Sequence, residues 1–212
     1  MRPLSALAAL LLAAVPAVAG SVGAYQELSG LAANDGAPAA ALATPDSQTP
    51  YPLPPVHTGV VTTHQLLNMR RKTLEELYKG LTPGPIPDGK SDGVASREPG
   101  TEFGRISQAV FGAFWEGKVF DRANGVLINR LRTGELIKAK VFYGDSWLDG
   151  KPAIIIDYED TLAVAGFIRD EIREAAPGVY LGFAYEREQD GSARANIVFA
   201  LDFNAPQATP AP

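Results

Sequence analysis

The chain has 212 residues and no cysteine. Disulfides, thiolate nucleophiles and cysteine-ligated metals are therefore excluded. Histidine is almost absent, with only His57 and His64. Acyl-transfer enzymes need a hydroxyl or thiol beside a base that titrates near neutrality. His57 falls in a proline-rich stretch and His64 opens a predicted helix, so neither suits. The run Gly144-Asp145-Ser146-Trp147-Leu148 comes near a nucleophile elbow, but its fifth residue is Leu instead of Gly. It also precedes a hairpin, where the motif needs a strand-to-helix turn.

Positive charge is scarce too. Lys and Arg number 19 against 24 Asp and Glu, a formal net charge of -5. The densest basic cluster, Met69-Arg70-Arg71-Lys72, reads as a solvated helix face, and no nucleic-acid footprint exists. No metal and no cofactor are expected. Asp145, Asp149 and Asp157 lack the spacing of a calcium loop and read as turn-forming aspartates. Gly89-Lys90-Ser91 lacks the glycine spacing and the leading strand of a phosphate loop.

Long apolar runs are also missing. The longest, Leu4 to Val15, is short of the ~20 residues that span a bilayer. It follows Arg2 and precedes Ala17-Val18-Ala19 and Val22-Gly23-Ala24, the layout of a secretory signal peptide over 1–24. The expected location is periplasmic or secreted, without a lipobox cysteine and without a stable membrane anchor after cleavage. Loss of Arg2 would leave the remainder one unit more negative. Residues 25–60 are rich in Ala and Pro and read as a disordered spacer, as does the tail 205–212. A single globular domain is expected over 61–204.

Within it, the spacing predicts a helix from Thr63, its cap, to Lys79, and a second between Glu102 and Trp115. Residues 81–93 are turn-rich. Ile137–Tyr143 and Pro152–Tyr158 read as strands around Asp149-Gly150. Val179–Arg187 and Ala193–Phe203 read as another pair around Asp190-Gly191, so antiparallel pairing is expected. Between the pairs, Thr161, Val164, Ala165, Ile168, Ile172 and Ala175 form an apolar stripe. It predicts a helix from Asp160 to Ala175, stopped by Pro177-Gly178. Arg169 and Arg173 share a face of that segment, and Asp170 can pair with Arg173. Asp157, inside an apolar run, needs a partner if it points inward. The expected fold class is α+β, an antiparallel sheet or small barrel with two or three packed helices.

Phe114-Trp115-Glu116-Gly117-Lys118-Val119-Phe120 resembles the Trp-x-Gly-Lys-x-Phe element of bacterial GxWxG-type lipocalin-like domains. Ile86-Pro-Asp-Gly89, Ser146-Trp147-Leu-Asp-Gly-Lys151, Ile168-Arg-Asp-Glu-Ile-Arg173 and Ala176-Pro-Gly-Val-Tyr-Leu-Gly182 resemble an uncharacterised bacterial exported family. This closer resemblance covers about 64–203. It implies a calycin-like β-barrel and a lipophilic ligand.

The functional expectation is an exported protein that binds a small apolar or amphipathic molecule, of lipid or fatty-acid type, in a barrel cavity. Trp115, Lys118, Phe120, Trp147, Asp157, Tyr158 and Tyr180 are the candidate lining residues, and Arg169 or Arg173 the anchor of a polar head. Two alternatives stand beside it. One is a nucleophile-free isomerase or cyclase using Asp157 and a tyrosine. The other is an envelope interaction protein with a filled barrel and an apolar surface patch. The balance leans away from an enzyme. Oligomeric state is not readable from the chain. N-terminal sequencing of the exported product is expected to start after Ala19 or Ala24; an intact Met1 terminus would contradict the cleavage.

Overall fold

In a computed structural model, residues 61–132, 134–159, 168–187 and 192–204 are described. The elements are α1 (Thr63–Leu67), α2 (Arg71–Gly80), β1 (Gly89–Lys90), β2 (Asp92–Ser96), α3 (Glu102–Gly112), β3 (Trp115–Asp121), β4 (Val126–Leu131), β5 (Gly134–Asp145), β6 (Pro152–Asp157), β7 (Ile168–Ala176), β8 (Val179–Arg187) and β9 (Ala193–Asp202). All nine strands form one antiparallel sheet in the order β1-β3-β4-β5-β6-β7-β8-β9-β2. The outer members of that order, β1 and β2, are consecutive in the chain. Gly89 and Lys90 pair with β3, while Asp92 to Ser96 pair with β9. One extended segment, turning at Ser91, thus brings the two sheet edges together, and the sheet nearly closes into a barrel. This is the α+β, calycin-like class expected above.

Strand periodicity sorts the side chains into two cores. Inside the barrel lie Leu127, Val141, Ile154, Ile156, Ile172, Ala184, Phe199 and Leu201, among others. Outside, Leu181, Phe183, Tyr185, Val198 and Ala200 of β8 and β9 pack under Leu66 and Leu67 of α1 and Leu74 and Tyr78 of α2. Both faces of β7 to β9 are therefore buried.

The helix expected over 160–175 is corrected in its described part. Residues 168–176 are a strand, paired with β6 and β8; 160–167, with the Asp160 cap, fall outside the described residues. The four-residue interval from Ile168 to Ile172 fits either period. Here it is period two, with Ile168, Asp170 and Ile172 facing in and Arg169, Glu171 and Arg173 facing out. Pro177-Gly178 is not a helix stop but the turn from β7 to β8, Gly178 taking φ 73°. Pro followed by a positive-φ Gly suits a type II turn. The helix expected over Thr63–Lys79 is two helices, interrupted at Asn68 to Arg70. Its cap is Thr62, whose hydroxyl accepts from Gln65 N at 3.1 Å while Gln65 Oε1 accepts from Thr62 N at 2.9 Å. The break frees Leu67 O to accept from Gly100 N at 3.2 Å. The link between β5 and β6 is also longer than a two-residue turn, since register pairs Asp145 with Pro152. The Asp190-Gly191 turn is outside the described residues.

Two structures stop the ends of the barrel. At one end the proline-rich segment 82–88 folds across, with Ile86 in the inner core and Tyr180 Oη donating to Pro85 O at 2.7 Å. At the other end lies α3, which puts Phe111 into the inner core.

Arg173 fastens the outer layer. Its guanidinium is fully buried and donates to Pro152 O, Tyr78 O, Lys151 O and both carboxylate oxygens of Asp149, all at 2.7–3.0 Å. Five N–H groups meet five acceptors, so no donor is left dry. Burial alone would raise the Asp149 carboxyl, but hydrogen bonds from Arg173 and Lys151 N, with the Arg173 charge, hold it below the usual carboxylate range. A carboxyl depressed in the folded state stabilises above its unfolded value, and that contribution is lost as pH falls through the folded value. Asp149→Asn is therefore expected to lower stability at pH 7 and to flatten its fall below about pH 4. Urea unfolding across pH measures this, and parallel pH curves for the two proteins would refute the clamp.

Candidate functional site

At the α3 end, the inner core leaves a cavity of about 80 Å³, lined mainly by apolar side chains that include Phe111, Trp115, Leu131, Ile168 and Phe199. Its polar lining is Lys118, Asn129, Tyr158 and Asp170. Each comes from a different part of the ring: Lys118 from β3, Asn129 from β4, Tyr158 just after β6, and Asp170 from β7.

These four groups are joined. Lys118 Nζ donates to Asn129 Oδ1 (2.9 Å), Tyr158 Oη (2.7 Å) and Asp170 Oδ2 (2.9 Å). Tyr158 Oη lies 3.0 Å from Asp170 Oδ2 and accepts from Asn129 Nδ2 at 2.9 Å. Trp115 Nε1 donates to Asn129 Oδ1 at 3.3 Å. The amide orientation of Asn129 is forced, because Lys118 and the indole can only donate and so must meet its oxygen. Burial, then the Asp170 charge, pushes the Tyr158 phenol well above its ordinary value, so it stays protonated and donates to Asp170. The ammonium also sits 5.4–5.9 Å from the ring centres of Trp115, Tyr158 and Phe199, within cation–π range. Lys118 and Asp170 are 3% and 4% exposed; such a pair persists in the interior only because its hydrogen bonds are met.

Local backbone irregularities aim these groups. The β4–β5 register shifts between Ile128 and Asn129, opposite Ile137. Ile137 is the one non-glycine residue with positive φ (66°) among the described residues, and it lines the cavity. A β-branched residue there is strained, and such strain gathers at functional sites. A second shift lies between Trp115 and Gly117. Gly93 gives the Trp115 ring its space, since a Cβ there would overlap the indole.

Of the residues proposed from sequence, Trp115, Lys118 and Tyr158 meet at this cavity. Phe120 and Tyr180 are inside the barrel but at the opposite end, packed on Phe203. The alternation of β6 turns Asp157 outward, where its Oδ2 accepts from Arg187 at 3.1 Å. Trp147 is 41% exposed on the β5–β6 loop, with the Arg169 guanidinium 4.2 Å from its ring centre. Arg169 also donates to Asp145 O at 2.7 Å and to Glu171 at 3.3 Å. Arg173 is the outer clamp. None of Asp157, Trp147, Arg169 and Arg173 lines the cavity. Asp170 and Asn129 were missed by sequence reasoning. The Leu127, Asn129, Leu131 alternation was the available signal for Asn129, and period two across Ile168-Arg-Asp-Glu-Ile172 the signal for Asp170.

The outward side of α3 shows Phe103, Ile106 and Val110, all about half exposed. Among the described residues no helix is long and apolar enough to cross a membrane.

Lys118→Met is expected to destabilise the protein by about 3–5 kcal/mol, because it strands the Asp170 carboxylate. Lys118→Met combined with Asp170→Leu is expected to recover most of that loss. Denaturant titration of the single and double variants checks this, and additive losses would rule out a coupled pair.

No family model matches the sequence, and no curated protein matches it. A solved structure of a protein from Thermomonospora curvata superposes with a TM-score of 0.42 at 20% identity, over 63% of this chain and 87% of that one.

Proposed function

We propose that this protein binds a small amphipathic molecule in its barrel, outside the cytoplasm. The supporting observation is a connected polar cluster, Lys118–Asn129–Tyr158–Asp170, at one side of an otherwise apolar cavity. Concave apolar walls with a few convergent polar groups are the usual form of a small-molecule site. The apolar body would rest on Phe111, Trp115 and Phe199, and the polar end on the cluster.

The size of the space refines the ligand. At about 80 Å³ it is smaller than the ~150 Å³ cavity that accepts benzene. A whole fatty acid does not fit, so a compact ligand, or the compact end of a longer one reaching toward α3, is favoured. A polar head held by Arg169 or Arg173 is not supported, because both lie on the outer face of the sheet, covered by the β5–β6 loop and α2 and away from the cavity. Nor is the isomerase reading, which needed Asp157 in the cavity. The interaction-protein reading finds an apolar patch on α3, but the barrel is not filled.

Native mass spectrometry of the protein recovered from its own export compartment is expected to show a small adduct, released by organic solvent. Compact alcohols and hydrocarbons added at millimolar concentration are expected to raise the Tm and to change Trp115 fluorescence in a Trp147→Phe background. No adduct, together with no response to any of them, would overturn the reading.

A further inference from the structure

The hydrogen-bond capacity left over in the cluster identifies the head group, given the binding reading above. Lys118 has three N–H groups and three acceptors. Tyr158 Oη accepts two hydrogen bonds and donates one. Asn129 Oδ1 accepts two. These atoms are saturated. Two valences remain. Asn129 Nδ2 has two N–H groups and makes one bond, to Tyr158. Asp170 accepts both of its bonds at Oδ2, and Oδ1 accepts none from the described residues. Oδ1 is also not among the fully enclosed unpaired atoms, and Asp170 lines the cavity, so that oxygen opens onto it.

The open positions are thus one acceptor of negative charge and one neutral donor. We infer that the cavity selects an uncharged molecule whose polar end both donates and accepts, such as an alcohol or a primary or secondary amide. The ligand N–H or O–H would go to Asp170 Oδ1 and its oxygen would take the free Asn129 N–H. A carboxylate fails on both counts. It has no proton for Asp170, and it would lie beside that charge while the one nearby cation is already committed. Lys118 is equally unsuited to attack a carbonyl ligand, because each of its N–H directions faces an acceptor and no lone pair faces the cavity.

The test uses the full exported protein, labelled with ¹⁵N, and four probes of four non-hydrogen atoms each, within the size limit set by the cavity: 2-propanol, acetamide, isobutane and acetate. Chemical-shift titration follows the two indole N–H signals and the Asn129 side-chain amide. The alcohol and the amide are expected to bind at least about tenfold tighter than the carboxylate, since groups left unpaired discriminate strongly. They should move the Trp115 indole and leave that of Trp147 still. Asn129→Ala is expected to remove most of the amide's advantage over isobutane, read as the ratio of the two affinities within the same variant. The four-probe series on the unmodified protein decides the matter if that variant does not fold. Carboxylate binding as tight as the amide, or equal binding of the hydrocarbon, would overturn the head-group inference and leave the cavity reading intact. No shift of the Trp115 signal by any probe would overturn both.

Discussion

The ion pair between Lys118 and Asp170 constrains the whole barrel. Lys118 stands on β3 and Asp170 on β7, four places apart in the strand order. With strands spaced ~4.8 Å, an open sheet would separate them by about 19 Å. They lie 2.9 Å apart. Only a sheet curled on itself brings them together, so the contact is also a measure of closure. Removing two charges from water costs several kcal/mol each unless geometry and hydrogen bonding compensate. Asn129 of β4 and Tyr158, just after β6, supply that compensation. The pair therefore fixes the mutual placement of β3, β4, β6 and β7, and through them the cavity.

Closure also determines where the other charges go. A strand in the barrel wall has an inner and an outer face, and on β7 both are covered. The inner face carries Asp170 into the polar cluster. The outer face carries Arg169, Glu171 and Arg173 under the β5–β6 loop and α2. Glu171 accepts from Ser146 Oγ at 2.7 Å and Trp147 N at 2.9 Å, which folds that loop back over the sheet. Arg173 ties the same loop to the end of α2. One strand thus organises the inner side of the wall with one carboxylate and the packing of its exterior with an arginine and a glutamate. The two roles stay separate because adjacent residues in a strand point in opposite directions.

The cavity lies where the strand geometry is least regular. Register shifts near Trp115, at Ile137 opposite Asn129, and between Ala184 and Tyr185 fall toward the α3 end, while a single further shift, between Glu174 and Ala176, lies at the other. Bulges bend strands and re-aim side chains, and they gather at barrel rims and functional sites. The opposite end is filled by Phe120, Tyr180, Phe203 and the segment 82–88. The irregular end is the one with room.

Local sequence determined much of this protein by itself. The absence of cysteine and the scarcity of histidine removed whole classes of chemistry. Apolar runs such as Pro152–Tyr158 and Val179–Arg187 identified their strands without tertiary information, because burial on both faces requires them to be apolar. Trp115 and Lys118 were legible through a motif, and Tyr158 through its apolar strand. The segment Ile168–Ala176 was not, because isoleucines four residues apart satisfy a helical and a strand period alike. Its charges looked solvent-facing, as charges usually are, until α2 and the β5–β6 loop covered them. Asp170 became a site residue only when the ring closed, since Lys118 lies 52 residues away and four strands round the barrel, whereas Asn129 already stands directly opposite Lys118 on the β3–β4 ladder. Periodicity records which way a residue points relative to its own strand; which residues it meets across a barrel depends on curvature and register summed over the whole sheet, and no short stretch of sequence contains that sum.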